Sequence, residues 1–167
     1  MQSTKTQMRR EIEEIPVAVA RLLDEGAAAT REIAAEIARR DPRFLISVAR
    51  GSSDHACTYL KYASELLFGL PMASVGPSVA SIYGTKLKAN GTLCIAVSQS
   101  GRSPDIVDLT RNARESGTYA VAITNNTASP LAAAASATLG IHAGPELSVA
   151  EAAAASGEAV SLVIATA

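Results

Sequence analysis

The chain has few of the features that mark secreted, membrane or metal-binding proteins. Only two of its 167 residues are cysteine, Cys57 and Cys94, and no pair of cysteines or histidines has metal-ligand spacing. No apolar run reaches the roughly 18 residues of a membrane span, and the N-terminus has no apolar signal-peptide core. We therefore expect a cytoplasmic protein with two reduced, packed cysteines and with no metal or other cofactor.

Positive charge is absent from the last third of the chain. The formal net charge is −1, and no Lys or Arg follows Arg114. Because the chain has no excess of positive charge, no long-range field attracts nucleic acid or acidic membranes. We expect neither as a partner.

Signatures of nucleotide binding are also missing. Arg50-Gly51-Ser52-Ser53 is not the G-x-G-x-x-G of a dinucleotide site, and no G-x-x-x-x-G-K-[ST] motif occurs. The predicted second strand is followed by Gly76-Pro77-Ser78, with no acidic residue to hold a ribose. These absences disfavour a nicotinamide or nucleotide ligand.

What the chain does contain is an alternation of short apolar runs and helical patterns. Apolar residues make up 48% and charged residues 19%, as in a globular domain. The runs predict strands over 44–49, 72–75, 92–97, 119–124 and 137–141. Helices are predicted over 54–68, 104–116 and 149–167, with a short one starting at Ser129-Pro130. This alternation predicts an α/β three-layer sandwich, in which a five-stranded parallel sheet has helices on both faces.

An antiparallel pair of helices is predicted over residues 1–41, ahead of a domain that spans 42–167. Gly26 separates the two helices, and Asp41-Pro42 ends the second one. We expect the pair to pack on the domain or on a second subunit. Three- and four-residue spacing predicts the inner face of the first helix as Met8, Ile12, Ile15, Val19, Leu22 and Leu23. The same spacing predicts the inner face of the 54–68 helix as Ala56, Leu60, Ala63 and Leu67.

The loop Ser98-Gln99-Ser100-Gly101-Arg102-Ser103 lies between a predicted buried strand and a predicted helix start at Pro104. Helix N-termini expose unpaired N–H groups and the positive end of the helix dipole, and so they suit anions. A single serine at Ser103 would be interpreted as a helix cap. Three hydroxyls together with Gln99 in one turn favour a small phosphorylated ligand instead.

Three motifs in order resemble the sugar isomerase (SIS) domain family: 50–55, RGSSDH; 77–84, PSVASIYG; and 98–105, SQSGRSPD. Within it, the chain is most similar to isomerase-type glucosamine-6-phosphate deaminases and to the isomerising glutamine–fructose-6-phosphate aminotransferases. The resemblance implies a flavodoxin-like SIS fold and a substrate site without a metal or cofactor. It implies phosphate ligands at Ser98, Gln99, Ser100 and Ser103, and sugar contacts at Gly51, Ser52, Ser53, Val149 and Ala150.

The resemblance also implies an activity and partners. The expected activity of the whole protein is conversion of glucosamine 6-phosphate to fructose 6-phosphate with release of ammonia. The alternatives are the isomerase module of an aminotransferase, a ketose–aldose isomerase that acts on a different sugar phosphate, and a sugar-phosphate sensor without catalysis. Residue 2 is Gln and not Cys, so the N-terminal cysteine of a glutaminase is missing, which favours deamination. The expected partners are a second SIS domain and a second subunit, as in a homodimer.

The chain departs from the family pattern in its final segment. Relatives continue S-V-A with a Thr-Lys pair, whereas this chain reads Ser148-Val149-Ala150-Glu151. In the relatives, the carboxylate that moves the proton comes from a second SIS domain, which is not in these 167 residues. The resemblance therefore assigns no catalytic residue to this chain.

Overall fold

The structure is a computed structural model, and it describes residues 6–144. Five strands and six helices follow one another in this range. The helices are α1 (Gln7–Glu25), α2 (Ala27–Arg40), α3 (Ser52–Phe68), α4 (Ser78–Ser81), α5 (Pro104–Glu115) and α6 (Pro130–Ala134). The strands are β1 (Leu45–Val48), β2 (Met72–Ser74), β3 (Leu93–Val97), β4 (Tyr119–Thr124) and β5 (Ala137–Gly140).

The strands form one parallel sheet in the order β2-β1-β3-β4-β5. β1 therefore lies between β2 and β3, with Val48 opposite Ala96 at their carboxyl ends. The direction of the chain across the sheet reverses between β1 and β3. In open parallel sheets this reversal point is where ligands bind, just beyond the strand ends.

Two apolar clusters cover the two faces of the sheet. On one face, the sheet residues pack against Leu22, Ile37 and Leu60 from α1, α2 and α3. On the other face, they pack against Ile106, Leu109 and Leu131 from α5 and α6. The predicted α/β sandwich with a five-stranded parallel sheet is therefore confirmed, and the N-terminal helices contribute to one of its two helical layers.

The sequence-based predictions differ from the structure in detail. α3 begins at Ser52, two residues before the predicted start, and the short α4 was not predicted. Leu67 was expected on the inner face of α3 but is 66% exposed, and Ile12 and Leu23 of α1 are also exposed. The helix predicted over 149–167 lies outside the described residues.

Both cysteines are free and buried, as expected. Burial raises the pKa of the Cys57 thiol to about 12 and that of Cys94 to about 12. Between residues 6 and 144, no helix has the length and apolar character to cross a membrane.

Candidate functional site

Two polar loops meet where β1 and β3 end side by side. The segment 50–53, here called loop 50–53, follows β1 and includes the first two residues of α3, and loop 98–103 follows β3 and leads into α5. Arg50 joins them directly, because its Nη1 lies 2.9 Å from Oδ2 of Asp105 in the first turn of α5. The fold therefore brings together the two motifs that lie about 50 residues apart in the sequence.

Loop 98–103 is held in place by the neighbouring strand β4, the residue after it and helix α6. The Ser98 N–H donates to the Ile123 carbonyl at 3.1 Å, and the Gln99 carbonyl accepts from the Asn125 N–H at 3.0 Å. The Gly101 carbonyl accepts from the Leu131 N–H at 3.0 Å. The loop thus has a fixed backbone before any ligand arrives, which lowers the entropy cost of binding.

Gly101 is required at the centre of this loop for two reasons. Its φ of +61° lies in the left-handed region that favours glycine. A Cβ at this position would overlap the side chain of Ser129 and lie 2.9 Å from Oγ1 of Thr124. Only glycine therefore lets the loop approach the end of β4 and the start of α6 this closely.

The serines of the loop have hydroxyl groups that could bind an anion. Ser103 occupies the N-cap position of α5, but its side chain makes no capping hydrogen bond, so the expected hydroxyl cap is not formed. Oγ of Ser100 accepts a hydrogen bond from the Arg102 N–H at 3.3 Å, which leaves its own proton free to be donated. Ser98 is only 6% exposed, which places its polar group at the base of the loop.

The first turn of α5 adds backbone donors to these hydroxyls. An α-helix leaves its first N–H groups without intrahelical partners, and the helix dipole gives this end a partial positive charge. Pro104 at the first helical position has no N–H to donate, and the N–H groups of the following residues supply the donors of this turn.

Loop 50–53 presents the N-terminus of a second helix. Gly51 has φ +64° and precedes α3, with no side-chain cap on that helix. Ser52 is exposed and Ser53 is half-buried. Val149 and Ala150, the other two predicted sugar contacts, lie outside the described residues.

Asn125 is a residue that the motifs did not identify. Its backbone N–H donates to Gln99 of loop 98–103, while its side chain holds the segment that leads towards residues 145–150. Nδ2 donates to the Gly144 carbonyl at 2.7 Å, and Oδ1 accepts from the Ala143 N–H at 2.9 Å. The signal for it was its position directly after a buried strand, at the same sheet edge as the two loops.

A cleft of about 600 Å³ adjoins the two loops. Its lining residues come from all three motifs: Arg50, Pro77, Ser78, Ser81, Ile82, Pro104 and Asp105. Part of the second motif forms α4, which explains why 77–84 belongs with the two serine loops. The predicted contacts from Gly51 to Ser103 are not among these lining residues, so the cleft lies beside the two loops and does not include their serines. A separate apolar cavity of about 260 Å³ lies between α2 and α3 and contains none of the predicted site residues either.

Two carboxylates lie next to the serine loops, Asp54 in the first turn of α3 and Asp105 in the first turn of α5. Within residues 6–144, no three His, Cys, Asp or Glu side chains are grouped to hold a metal ion. Glu65, a carboxylate on α3, pairs with Lys61 at 2.9 Å. The hydroxyl groups of the two loops and the N–H groups of the two helix N-termini are the donors that this sheet edge offers to an anion or a polar ligand.

Comparison with known proteins agrees with this architecture. The sequence profile of the SIS domain matches residues 40–166. Glutamine–fructose-6-phosphate aminotransferase (isomerizing) of Streptomyces coelicolor is 34% identical over 149 residues, which is 86% of this chain but 24% of that protein.

Solved structures give the same result. A protein of Silicibacter pomeroyi DSS-3, provisionally named a phosphosugar isomerase, is 57% identical, with a TM-score of 0.95 over 97% of this chain and 50% of its own. The Vibrio vulnificus NanR protein, solved with ManNAc-6P, is 23% identical, with a TM-score of 0.72 over 95% of this chain and 62% of its own. The chain thus spans half of the first protein and about a quarter of the curated relative.

Proposed function

The chain belongs to the SIS domain family, and we propose that it binds an amino sugar phosphate for an enzyme that deaminates it. The proposed reaction of the whole protein converts glucosamine 6-phosphate and water into fructose 6-phosphate and ammonia. The observation that carries the proposal is the serine loop 98–103, fixed at the N-terminus of α5 beside a second open helix N-terminus at loop 50–53.

Loop 98–103 is proposed to bind the phosphate group. The hydroxyls of Ser98, Ser100 and Ser103, the Gln99 side chain and the backbone N–H groups of the α5 first turn are all suited to donate to phosphate oxygens. Serine donors anchor the phosphate without placing a cation close to the reacting carbons. The anchor supplies binding energy remote from the chemistry and fixes the position of the sugar.

Loop 50–53 is proposed to contact the sugar, together with the backbone of Val149 and Ala150. β1 and β3 are neighbours, so a ligand anchored on loop 98–103 extends naturally over Gly51, Ser52 and Ser53. Asn125 supports this arrangement, because it links the phosphate loop to the segment before Val149.

The chemistry requires groups beyond those assigned in this chain. The sugar ring opens, a proton moves between C2 and C1 to shift the double bond, and water replaces the nitrogen at C2 as ammonia leaves. A positioned carboxylate is the natural base for the proton transfer. We propose that it comes from a second SIS domain of the same protein, so that this chain binds and orients the substrate.

The partners proposed are that second domain and a second subunit. Apolar side chains on one face of α3 support a contact with another protein surface: Tyr59 is 54%, Tyr62 61% and Leu66 81% exposed. They follow one another at helical spacing, as residues of an interface do. Sedimentation equilibrium of the intact protein tests the dimer, and a mass of one subunit contradicts it. A cytoplasmic location is part of the same proposal.

Two alternatives have observations in their favour. The aminotransferase relative at 34% identity favours an isomerase module that takes nitrogen from glutamine. The resemblance in fold to NanR with its bound ManNAc-6P favours a sensor that binds without turnover. Each makes a different prediction for the same assay.

The test is incubation of the intact protein with glucosamine 6-phosphate, followed by measurement of ammonia and fructose 6-phosphate. Deamination is expected to produce the two in equal amounts. Synthesis of glucosamine 6-phosphate from fructose 6-phosphate and glutamine supports the aminotransferase alternative, and binding without product supports the sensor. No binding of any sugar phosphate contradicts all three.

A matched pair of variants ties the activity to the loop. Ser103 and Ser116 are half-buried serines at the two ends of α5, and only Ser103 lies in the proposed site. Ser103→Ala is expected to raise KM for glucosamine 6-phosphate by about tenfold, the scale of a lost hydrogen bond to a charged group. Ser116→Ala should leave KM unchanged.

A further inference from the structure

On the basis of the phosphate site in the proposed function, we propose that Arg50 is a positioning residue that makes loop 98–103 fit for a dianion. It acts through Asp105, whose negative charge it offsets, and it contacts no phosphate oxygen itself. Both residues lie within the three motifs, yet neither is among the proposed phosphate ligands or sugar contacts.

Asp105 presents a difficulty for anion binding at this position. It lies in the first turn of α5, directly after the N-cap Ser103 and Pro104. A carboxylate there interacts favourably with the positive helix end and with the same N–H groups that would receive a phosphate. Two anions at one helix end repel each other. Because Asp105 is half-buried, solvent screens this repulsion only in part.

Arg50 is positioned to remove that difficulty. It follows β1, its Nη1 lies 2.9 Å from Oδ2 of Asp105, and the pair joins the two loops across the end of the sheet. The guanidinium beside the carboxylate offsets its negative charge, so the pair adds no net charge to this helix end. Its side chain is 66% exposed and lines the cleft of about 600 Å³.

The cation of loop 98–103, Arg102, does not replace Arg50. Arg102 is exposed, and its backbone N–H points to Ser100, but no ion pair joins its side chain to a carboxylate in the described part of the chain. Arg102 can therefore add a general attraction for anions, whereas Arg50 specifically offsets Asp105.

The chain offers a close control for this ion pair. Arg111 and Asp108 form an exposed ion pair of 2.7 Å on the same helix, away from its N-terminus. Exposed ion pairs contribute little to stability, so variants of either pair are expected to fold. A difference between them therefore reports on position and not on the loss of an ion pair as such.

The test is calorimetric titration of the intact protein with glucosamine 6-phosphate and with inorganic phosphate at low ionic strength. Arg50→Gln is expected to weaken both affinities by about tenfold, since an unpaired carboxylate then faces the anion. Arg50→Lys should retain most of the affinity. The double variant Arg50→Gln with Asp105→Asn should return to within about threefold of the wild type, because the repulsion is gone. Arg111→Gln should bind like the wild type.

Salt gives a second readout. The deficit of Arg50→Gln should shrink as the ionic strength rises, because a charge effect between exposed groups is screened. Equal losses in Arg50→Gln and the double variant would mean that Arg50 contacts the phosphate, and the inference would be wrong. Normal binding by Arg50→Gln would also overturn it while leaving the proposed function intact. Failure of the wild type to bind either ligand would overturn both.

Discussion

The side chain of Asn125 and the backbone of Gly144 are joined by a hydrogen bond of 2.7 Å across 19 positions of sequence. The same side chain accepts from the Ala143 N–H, and the backbone N–H of Asn125 donates to the Gln99 carbonyl. Asn125, the residue directly after β4, is therefore bonded both to the proposed phosphate loop and to the segment 143–144, which precedes Val149 and Ala150 in the sequence.

Asn125→Ala is expected to weaken binding of glucosamine 6-phosphate by about tenfold. The variant leaves the Gly144 carbonyl and the Ala143 N–H without their partner. An unsatisfied buried group costs about 1–3 kcal/mol, so the segment is no longer held in place beside the proposed phosphate loop. Calorimetric titration measures the affinity. Asn126→Ala is the control, because the Asn126 side chain accepts locally from the Ala128 N–H. Equal affinities of the two variants would show that the segment is held by other contacts.

Gly101→Ala is expected to abolish detectable binding and to destabilise the protein. The added Cβ would meet Ser129 and Thr124, and the φ of +61° is strained for alanine. Gly91→Ala separates the two causes, since Gly91 has φ +75° but no atom within 4 Å of the position that a Cβ would take. Chemical denaturation should show a larger loss for Gly101→Ala than for Gly91→Ala. Similar losses would mean that the close approach to Ser129 is easily relaxed.

The two thiols are expected to be inert in the folded protein. Burial raises the pKa of Cys57 to about 12 and that of Cys94 to about 12, so at pH 8 almost no thiolate is present. A thiol-exchange reagent should label neither thiol before unfolding and both after it.

The same shifts predict a pH dependence of stability. Above pH 9, the unfolded chain loses thiol protons that the folded chain keeps, so the free energy of unfolding should fall as the pH rises from 9 to 12. Replacing Cys57 with Ala should reduce this slope. In the labelling experiment with the thiol-exchange reagent, rapid reaction of the native protein at pH 8 would contradict the burial of both thiols.

Leu60 and Leu67 lie on the same helix and are expected to behave differently. Leu60 is 2% exposed in the core and Leu67 is 66% exposed. Leu60→Ala should cost about 2–5 kcal/mol of unfolding free energy, as buried leucines do. Leu67→Ala should change it by no more than about 0.5 kcal/mol. Urea denaturation measures both, and a large cost at Leu67 would mean that this residue is covered, for example in a subunit contact.

Sequence patterns were sufficient to predict the strands but not to decide which apolar residues of a helix are buried. The three central strands β1, β3 and β4 could be predicted because each is a fully buried, mostly apolar run, which is the signature of a strand covered on both faces. The edge strands β2 and β5 are partly exposed, and short apolar runs between turn residues indicated them. Helical spacing found Leu60 but also suggested Leu67, because α3 carries a second apolar face, with Tyr59, Tyr62 and Leu66 exposed. A periodic pattern reports that a residue is apolar, not which of two surfaces covers it.

The site shows a similar division. The serine loops could be identified because strand ends and helix starts are visible in the sequence. The hydroxyl groups of their serines indicated an anionic ligand. Asn125 and the pairing of Arg50 with Asp105 could not, because these contacts join residues 19 and 55 positions apart. α4 was missed because four residues are too few to show a helical period.

The most direct test of the phosphate site compares glucosamine 6-phosphate with unphosphorylated glucosamine in calorimetric titrations of the intact protein. We predict that the phosphate ester binds and that removing the phosphate abolishes measurable affinity. We also predict that a variant with Ser98, Ser100 and Ser103 all replaced by alanine binds neither compound. Equal affinity for the two compounds, or full binding of the ester by the triple variant, would contradict the assignment of loop 98–103 as the phosphate site.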